Sequence, residues 1–185
     1  MTLFAVVIIA LLAVVIFWFV FAYNGLIRLR NMVRNAWHQI DVQLKRRYDL
    51  IPNLVEVVKD YMSYEQETLE KVIKARSLAM DASGASQQAE AENMLTGALK
   101  SLFAVVERYP ELKSNQNVLN LQEELTSTEN KISFARQFYN DIVYRYNTRT
   151  EVVPTNIIAG MFNFKREEFF KTEEEEKEVV KVDLR

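Results

Sequence analysis

Between Met1 and Ala22 there is no charged residue, no proline and no glycine, and the only polar side chain is that of Thr2. A run of more than about 18 apolar residues crosses the ~30 Å hydrocarbon core of a bilayer as a single helix. Inside that core every backbone amide must be satisfied within the segment, which a helix achieves. Residues 1–22 therefore read as a transmembrane anchor, and all the Lys, Arg, Asp and Glu lie after it. A cleaved signal sequence would need a cationic start, a shorter apolar core and small residues at the cut. Here bulky side chains fill Phe17–Phe21, so the anchor is expected to be retained. Trp18 and Tyr23 sit where an interfacial aromatic belt is expected.

The flanks set the expected orientation. Arg28, Arg30, Arg34, Lys45, Arg46 and Arg47 follow the anchor, with Asp41 the only acid before Asp49. Cations close to a span are retained on the cytoplasmic side. The N-terminus is expected outside and the body in the cytoplasm, with Arg28, Arg30 and Arg34 acting as topology determinants near anionic headgroups. A formal net charge of −2 argues against nucleic acid as a partner.

Four Gly and three Pro in 185 residues are too few for the turns of a sandwich or barrel, and Glu, Leu, Ala and Lys are good helix formers. The absence of Cys excludes disulfides and thiolate chemistry. The fold class is all-α: an N-terminal transmembrane helix followed by an up-and-down (four-)helix bundle with long helices, the bundle over 23–164 and a charged C-terminal tail over 165–185.

Apolar residues at spacings of three and four predict a first helix from Tyr23 to about Ala82, through Leu26, Val33, Ala36, Ile40, Leu44, Tyr48, Ile51, Val55, Val58 and Leu69. Pro52 falls inside this stripe. The stripe keeps phase across it, which favours a continuous helix kinked at Pro52; the alternative is a break capped by Asp49. A loop at Asp81–Ser86 precedes a second helix from about Gln87 to Tyr109, closed by Pro110. Ser114 or Asn115 then caps a third helix that runs to about Thr150, with Val118, Leu121, Leu125, Thr128, Ile132, Ala135, Tyr139, Ile142 and Tyr146 in strict coiled-coil spacing. A short apolar piece, Ile157 to Phe164, comes next. The acidic run Glu173–Glu176 reads as solvated tail, and Val179–Val182 as a short extended segment without a partner strand.

At 1.5 Å per residue a first helix of that length would reach about 85–90 Å beyond the membrane, far past a second helix of about 35 Å. The membrane-proximal stripe, 26–44 with Trp37, would then lack a partner. Either the C-terminal segment folds back on it or it pairs with copies of itself; self-association, or contact with another membrane protein, is expected.

His38 is the only histidine, so zinc sites, di-iron Glu-x-x-His pairs and Ser-His-Asp triads lack their ligands or base. No catalytic residue and no cofactor is expected. Polar residues do fall on the bundle faces. Glu65 and Arg76 lie in the seam of the first helix, and Gln122, Glu129 and Arg136 repeat every seven residues on the third, as do Asn140 and Asn147. These are expected to pair between helices and set register, Glu65 and Arg76 serving Glu129 and Arg136. The alternative is a polar pocket for a small ligand.

Several stretches carry a resemblance: Tyr23–Leu26, Ala36–Val55, Glu107–Lys113, Leu121–Leu125, Thr128–Ile132, Ala135–Asn140, Tyr146–Asn147 and Pro154–Asn156. They resemble the LemA family across nearly the whole chain. That resemblance implies a single-pass membrane protein with a cytoplasmic bundle of four-helix, up-and-down character. It implies no enzymatic activity; relatives are linked to membrane organisation and to membrane proteases. The expected function is a non-catalytic scaffold or adaptor in membrane organisation or membrane-protein assembly. The alternatives are a cytosol-facing sensor that binds a small ligand between helices, and an enzyme built on a carboxylate pair such as Glu65 and Glu129.

Overall fold

The computed structural model describes residues 2–62 and 64–171, and among these there are helices and no strand. In chain order they are α1 (Thr2–Lys59), α2 (Gln66–Asp81), α3 (Ala85–Val106), α4 (Pro110–Lys113), α5 (Gln116–Glu151) and α6 (Thr155–Met161). They form two compact units, Met1–Gln39 with Gln137–Glu168, and Ile40–Arg136 with Phe169–Arg185. We call these the anchor unit and the bundle unit; α1 and α5 contribute to both. The acidic run Glu173–Glu176 and the segment Val179–Val182 lie outside the described residues.

In the bundle unit four helices share one core. Ile51, Leu54, Val58 and Met62 meet Leu69, Val72 and Ala75 of α2, Leu95, Leu99 and Leu102 of α3, and Val118 and Leu125 of α5. The third predicted helix holds its spacing: Val118, Leu125, Thr128 and Ile132 are all buried. Asn115 caps it, its Oδ1 accepting from the amides of Asn117 at 2.9 Å and Val118 at 3.4 Å. Between α2 and α3 the turn is made by Gly84 at φ +81, a backbone region that other residues seldom adopt.

The helix predicted from Tyr23 to Ala82 is instead two helices. α1 stops at Lys59, and the carbonyl of Val58 takes the amides of Tyr61 (3.1 Å) and Met62 (3.0 Å) as the chain turns. No Gly or Pro marks this reversal. Continued straight, Leu69, Val72, Ala75 and Ala79 would find no apolar partner; folded back they are all buried. Burial of a face outweighs the small propensity cost of ending a helix.

α1 does run unbroken through Pro52. Proline has no amide proton, so the carbonyl four residues earlier, that of Tyr48, loses its helical partner. Arg76 supplies one: its Nε donates to the Tyr48 carbonyl at 2.8 Å. Arg76→Met should destabilise the protein by about 1 kcal/mol, the low end of the cost of an unsatisfied acceptor, because this one is part-buried. Most of that cost should vanish in a Pro52→Ala background, where the substituted residue restores the amide. A double-mutant cycle by guanidinium unfolding checks it; equal costs in both backgrounds would refute the link.

In the anchor unit the apolar stripe of α1 is covered by the chain itself. Ala22, Leu26, Val33 and Ala36 are buried, as are Tyr139, Ile142, Val143 and Tyr146 of α5. Trp37 packs edge-on against Tyr139 with ring centroids 5.4 Å apart. Of the two expected ways of covering the stripe, the fold-back of the C-terminal part of the chain is the one present here. The reversal at 60–65 adds one change of direction, and it brings the C-terminal part of α5 back alongside α1. Residues Thr2–Phe21 are exposed apart from the half-buried Phe19, and the apolar window of α1 is 0% buried, as a lipid-facing span would be.

Candidate functional site

The most concentrated polar chemistry lies inside the bundle unit. Arg47 follows Ile40 and Leu44 and precedes Ile51, Leu54 and Val58 in three-four register, so the helix directs it into the core, where it is 2% exposed. Glu92 holds the equivalent place on α3, between Gln88 and Leu95, and is 0% exposed. A buried charge is tolerated only when paired and hydrogen-bonded. Arg47 Nη1 lies 2.9 Å from Glu92 and 3.0 Å from Glu129, and Nη2 donates to Thr96 Oγ1 at 2.8 Å. The second Glu92 oxygen accepts the Tyr48 hydroxyl. Gln88 closes the network by donating to the Tyr48 hydroxyl at 3.0 Å and to the Ala79 carbonyl at 2.9 Å.

One guanidinium faces two carboxylates, and the surplus negative charge falls to Glu129, whose side chain is 36% exposed. Burial, then the hydrogen bond and charge of Glu92, push the Tyr48 hydroxyl far above its ordinary range. Tyr48 is therefore a fixed hydrogen-bond donor and not a base. The open grooves of this unit are elsewhere. One of about 450 Å³ between α2 and α3 is lined by Ala75, Leu78, Met94, Gly97 and Ala98, with Lys71 and Lys74 at its edge. Another of about 570 Å³ lies along Val55, Met62, Leu69 and Ile73. Neither is lined by Arg47, Glu92 or Glu129.

A second cluster, in the anchor unit, holds an extended segment. Asn147, 4% exposed, accepts from the Glu167 amide at 3.0 Å and donates to the Glu167 carbonyl at 2.9 Å, as a neighbouring β-strand would. Tyr146 and Tyr139 donate to the carbonyls of Lys165 and Glu168, both at 2.9 Å. Arg30 lies 5.0 Å over the ring of Phe164. Burial first, then Glu167 and Glu168, push the Tyr139 hydroxyl up from 10.0 to about 12. The folded state thus holds this proton more tightly than the unfolded chain does. Its contribution is complete below pH 10 and is lost as pH rises towards 12. The thermal midpoint should fall across that window, and Tyr139→Phe should flatten the fall; an unchanged slope would contradict this.

The residues singled out from sequence do not form one site. Glu129 does enter the buried layer, but its partner is Arg47 rather than Arg76, which serves the Tyr48 carbonyl. Glu65 lies 3.6 Å from Arg108. Arg136 stacks over Phe170 at 4.5 Å. Gln122 borders a shallow surface hollow with Leu119 and Thr126, and Asn140 is half-buried on α5. Of the juxtamembrane cations, Arg28 and Arg34 are exposed, Arg30 meets Phe164, and Arg47 is withdrawn into the core and cannot reach headgroups. Tyr23 packs against Phe162 and Phe164, and Trp18 is 39% exposed. Sequence reading missed Arg47, Tyr48, Gln88, Glu92 and Thr96 as a group. The available signal was charge at strict seam positions, Arg47 at Leu44+3 and Glu92 at Leu95−3.

Comparison with known proteins agrees with this architecture. The family model of the LemA family matches residues 36–184. Protein LemA of Metamycoplasma hominis is 27% identical over 90% of this chain and 78% of its own length. Magnetosome protein MamQ 2 of Paramagnetospirillum magneticum is 25% identical over 90% of this chain and 72% of its own. Magnetosome protein MamQ of Magnetospirillum gryphiswaldense is 21% identical, over 80% and 64%. With the family match spanning most of its length, the chain belongs to the LemA family, as a membrane-anchored helical protein.

Proposed function

We propose that this protein is a non-catalytic scaffold, anchored through residues 1–22 with its body in the cytoplasm, which acts by holding other membrane proteins or further copies of itself. The observation that carries this reading is the closed state of the buried polar layer. Arg47, Glu92, Tyr48 and Gln88 satisfy one another, so the strongest chemical groups of the bundle maintain its register. Apolar side chains meanwhile remain open to solvent along the grooves: Leu78 is 44% and Met94 55% exposed at the α2–α3 groove, and Ile73 is 48% exposed at the other. Exposed apolar surface of this kind marks protein contacts. Relatives named as magnetosome proteins fit a role in organising a cellular structure. The cations after the anchor support the cytoplasmic orientation.

Photoreactive residues at Leu78 and Met94, activated in cells, test the proposal. Discrete crosslinks to one protein, or to a second copy, are expected; crosslinks confined to the same chain would overturn it. The ligand-sensor alternative rests on Thr128, fully buried with a hydroxyl that meets no hydrogen-bond partner. A metabolite that raised the thermal midpoint, and did so no longer in Thr128→Val, would favour it.

A further inference from the structure

The stretch from Val152 to Phe164 contains no charged residue, although Arg149 and Glu151 precede it and Lys165 and Arg166 follow it. It comprises the end of the turn after α5, the seven-residue helix α6 and the start of the extended segment. α6 is two-faced. Thr155, Ile158 and Ala159 are buried against the rest of the anchor unit. Val153 is 79%, Ile157 61%, Met161 67% and Phe162 45% exposed, so the outward face is apolar as well. A soluble surface element seldom presents four large apolar side chains together without a partner.

The depth of this element is fixed by ring contacts. Phe162 lies with its ring centroid 6.0 Å from that of Phe19 and 4.7 Å from that of Tyr23. Phe19 belongs to the uncharged run of α1, and Tyr23 follows its end. Phe162 is therefore level with the last turn of the span, which puts the C-terminal end of α6 beside the point where α1 leaves its uncharged run. Helices with one apolar face and cations at their flanks settle about 5–10 Å into the headgroup and acyl boundary. Long cationic side chains at such a boundary reach headgroup phosphates. Arg28, Arg149 and Lys165 are exposed in this unit.

We propose that residues 152–162 form a second membrane contact beside the span, with Val153, Ile157, Met161 and Phe162 inserted in the interfacial layer of the leaflet from which α1 emerges. The occupant of this surface is lipid. α6 would then fix the rotation of α1 about its axis and hold the anchor unit against the membrane. The inference rests on Thr2–Phe21 being a bilayer span.

The chain has no natural cysteine, so single-cysteine labelling of the full-length protein is unambiguous. Bimane is placed at Val153, Ile157 or Met161, at Val14 inside the span, and at Asn35, which lies about 20 Å further along α1 than Phe21. Each variant is reconstituted into nanodiscs of phosphatidylcholine and phosphatidylglycerol that contain a lipid with a doxyl group high on its acyl chain. Quenching at Ile157 and Met161 several-fold stronger than at Asn35 is expected. Quenching at Ile157 and Met161 no greater than at Asn35, with Val14 quenched, would overturn the second contact and leave the span intact. Absence of quenching at Val14 would overturn the span, and the second contact with it.

Discussion

Replacing Arg47 by Met should lower the unfolding free energy of the full-length protein in detergent by about 3–5 kcal/mol, the usual cost of stranding one member of a buried ion pair. The substitution keeps the side-chain volume but leaves the Glu92 carboxylate, 0% exposed, without a counter-charge. Tyr48 still donates to it, which keeps the loss from growing further. The double variant Arg47→Met with Glu92→Leu should recover most of the stability, because a well-packed apolar pair replaces a buried ion pair at little or no cost. Guanidinium unfolding followed by circular dichroism measures both. A single variant no weaker than a surface substitution would show that the pair is not buried. A double variant as weak as the single would show that the layer does more than fill and register the core.

The second large effect is expected at Asn147. Asn147→Ala removes both hydrogen bonds to Glu167 and leaves a half-buried peptide group without its partner. The loss of two such bonds should cost about 2–4 kcal/mol. The consequence is local: residues 165–168 remain tied by the hydroxyls of Tyr139 and Tyr146 and by the exposed Arg166–Glu151 ion pair at 3.0 Å. Lys165 and Arg166 should then become preferred trypsin sites, cut several-fold faster than in the parent protein. Equal cleavage rates would mean that other contacts hold the segment.

The parts legible in the sequence are those governed by repeating burial. α5 buries Val118, Leu125, Thr128, Ile132 and Tyr139 at the spacing that its sequence announces, and Asn115 caps it as Asx residues do. The anchor is legible from the lack of charge alone. The reversal at 60–65 is not, because residues such as Tyr61 and Glu65 have no strong turn preference; the gain lies in burying Leu69 and Val72 against other helices. The buried layer is half legible. Glu129 stands out beside a regular seam, whereas Arg47 is hidden among cations whose position after the anchor already has an explanation. The apolar stripe of α1 leads through Tyr48, and the true register passes one residue earlier. The segment 164–168 leaves no periodic signal, since it is held by side chains that bond its backbone and by the ring contact of Phe164 with Tyr23. Pro52 and Arg76 each stand out in the sequence, and the carbonyl that joins them is visible only in three dimensions.

The central claim is that the polar interior maintains the bundle while its exterior carries the function. The most direct test is to repeat the in-cell photocrosslinking from Leu78 and Met94 in the Arg47→Met, Glu92→Leu double variant. The account predicts the same crosslinked partners in the same amounts as in the parent protein. Loss of those crosslinks from a double variant that keeps its circular dichroism and thermal midpoint would contradict it, and would make the buried layer itself the functional site.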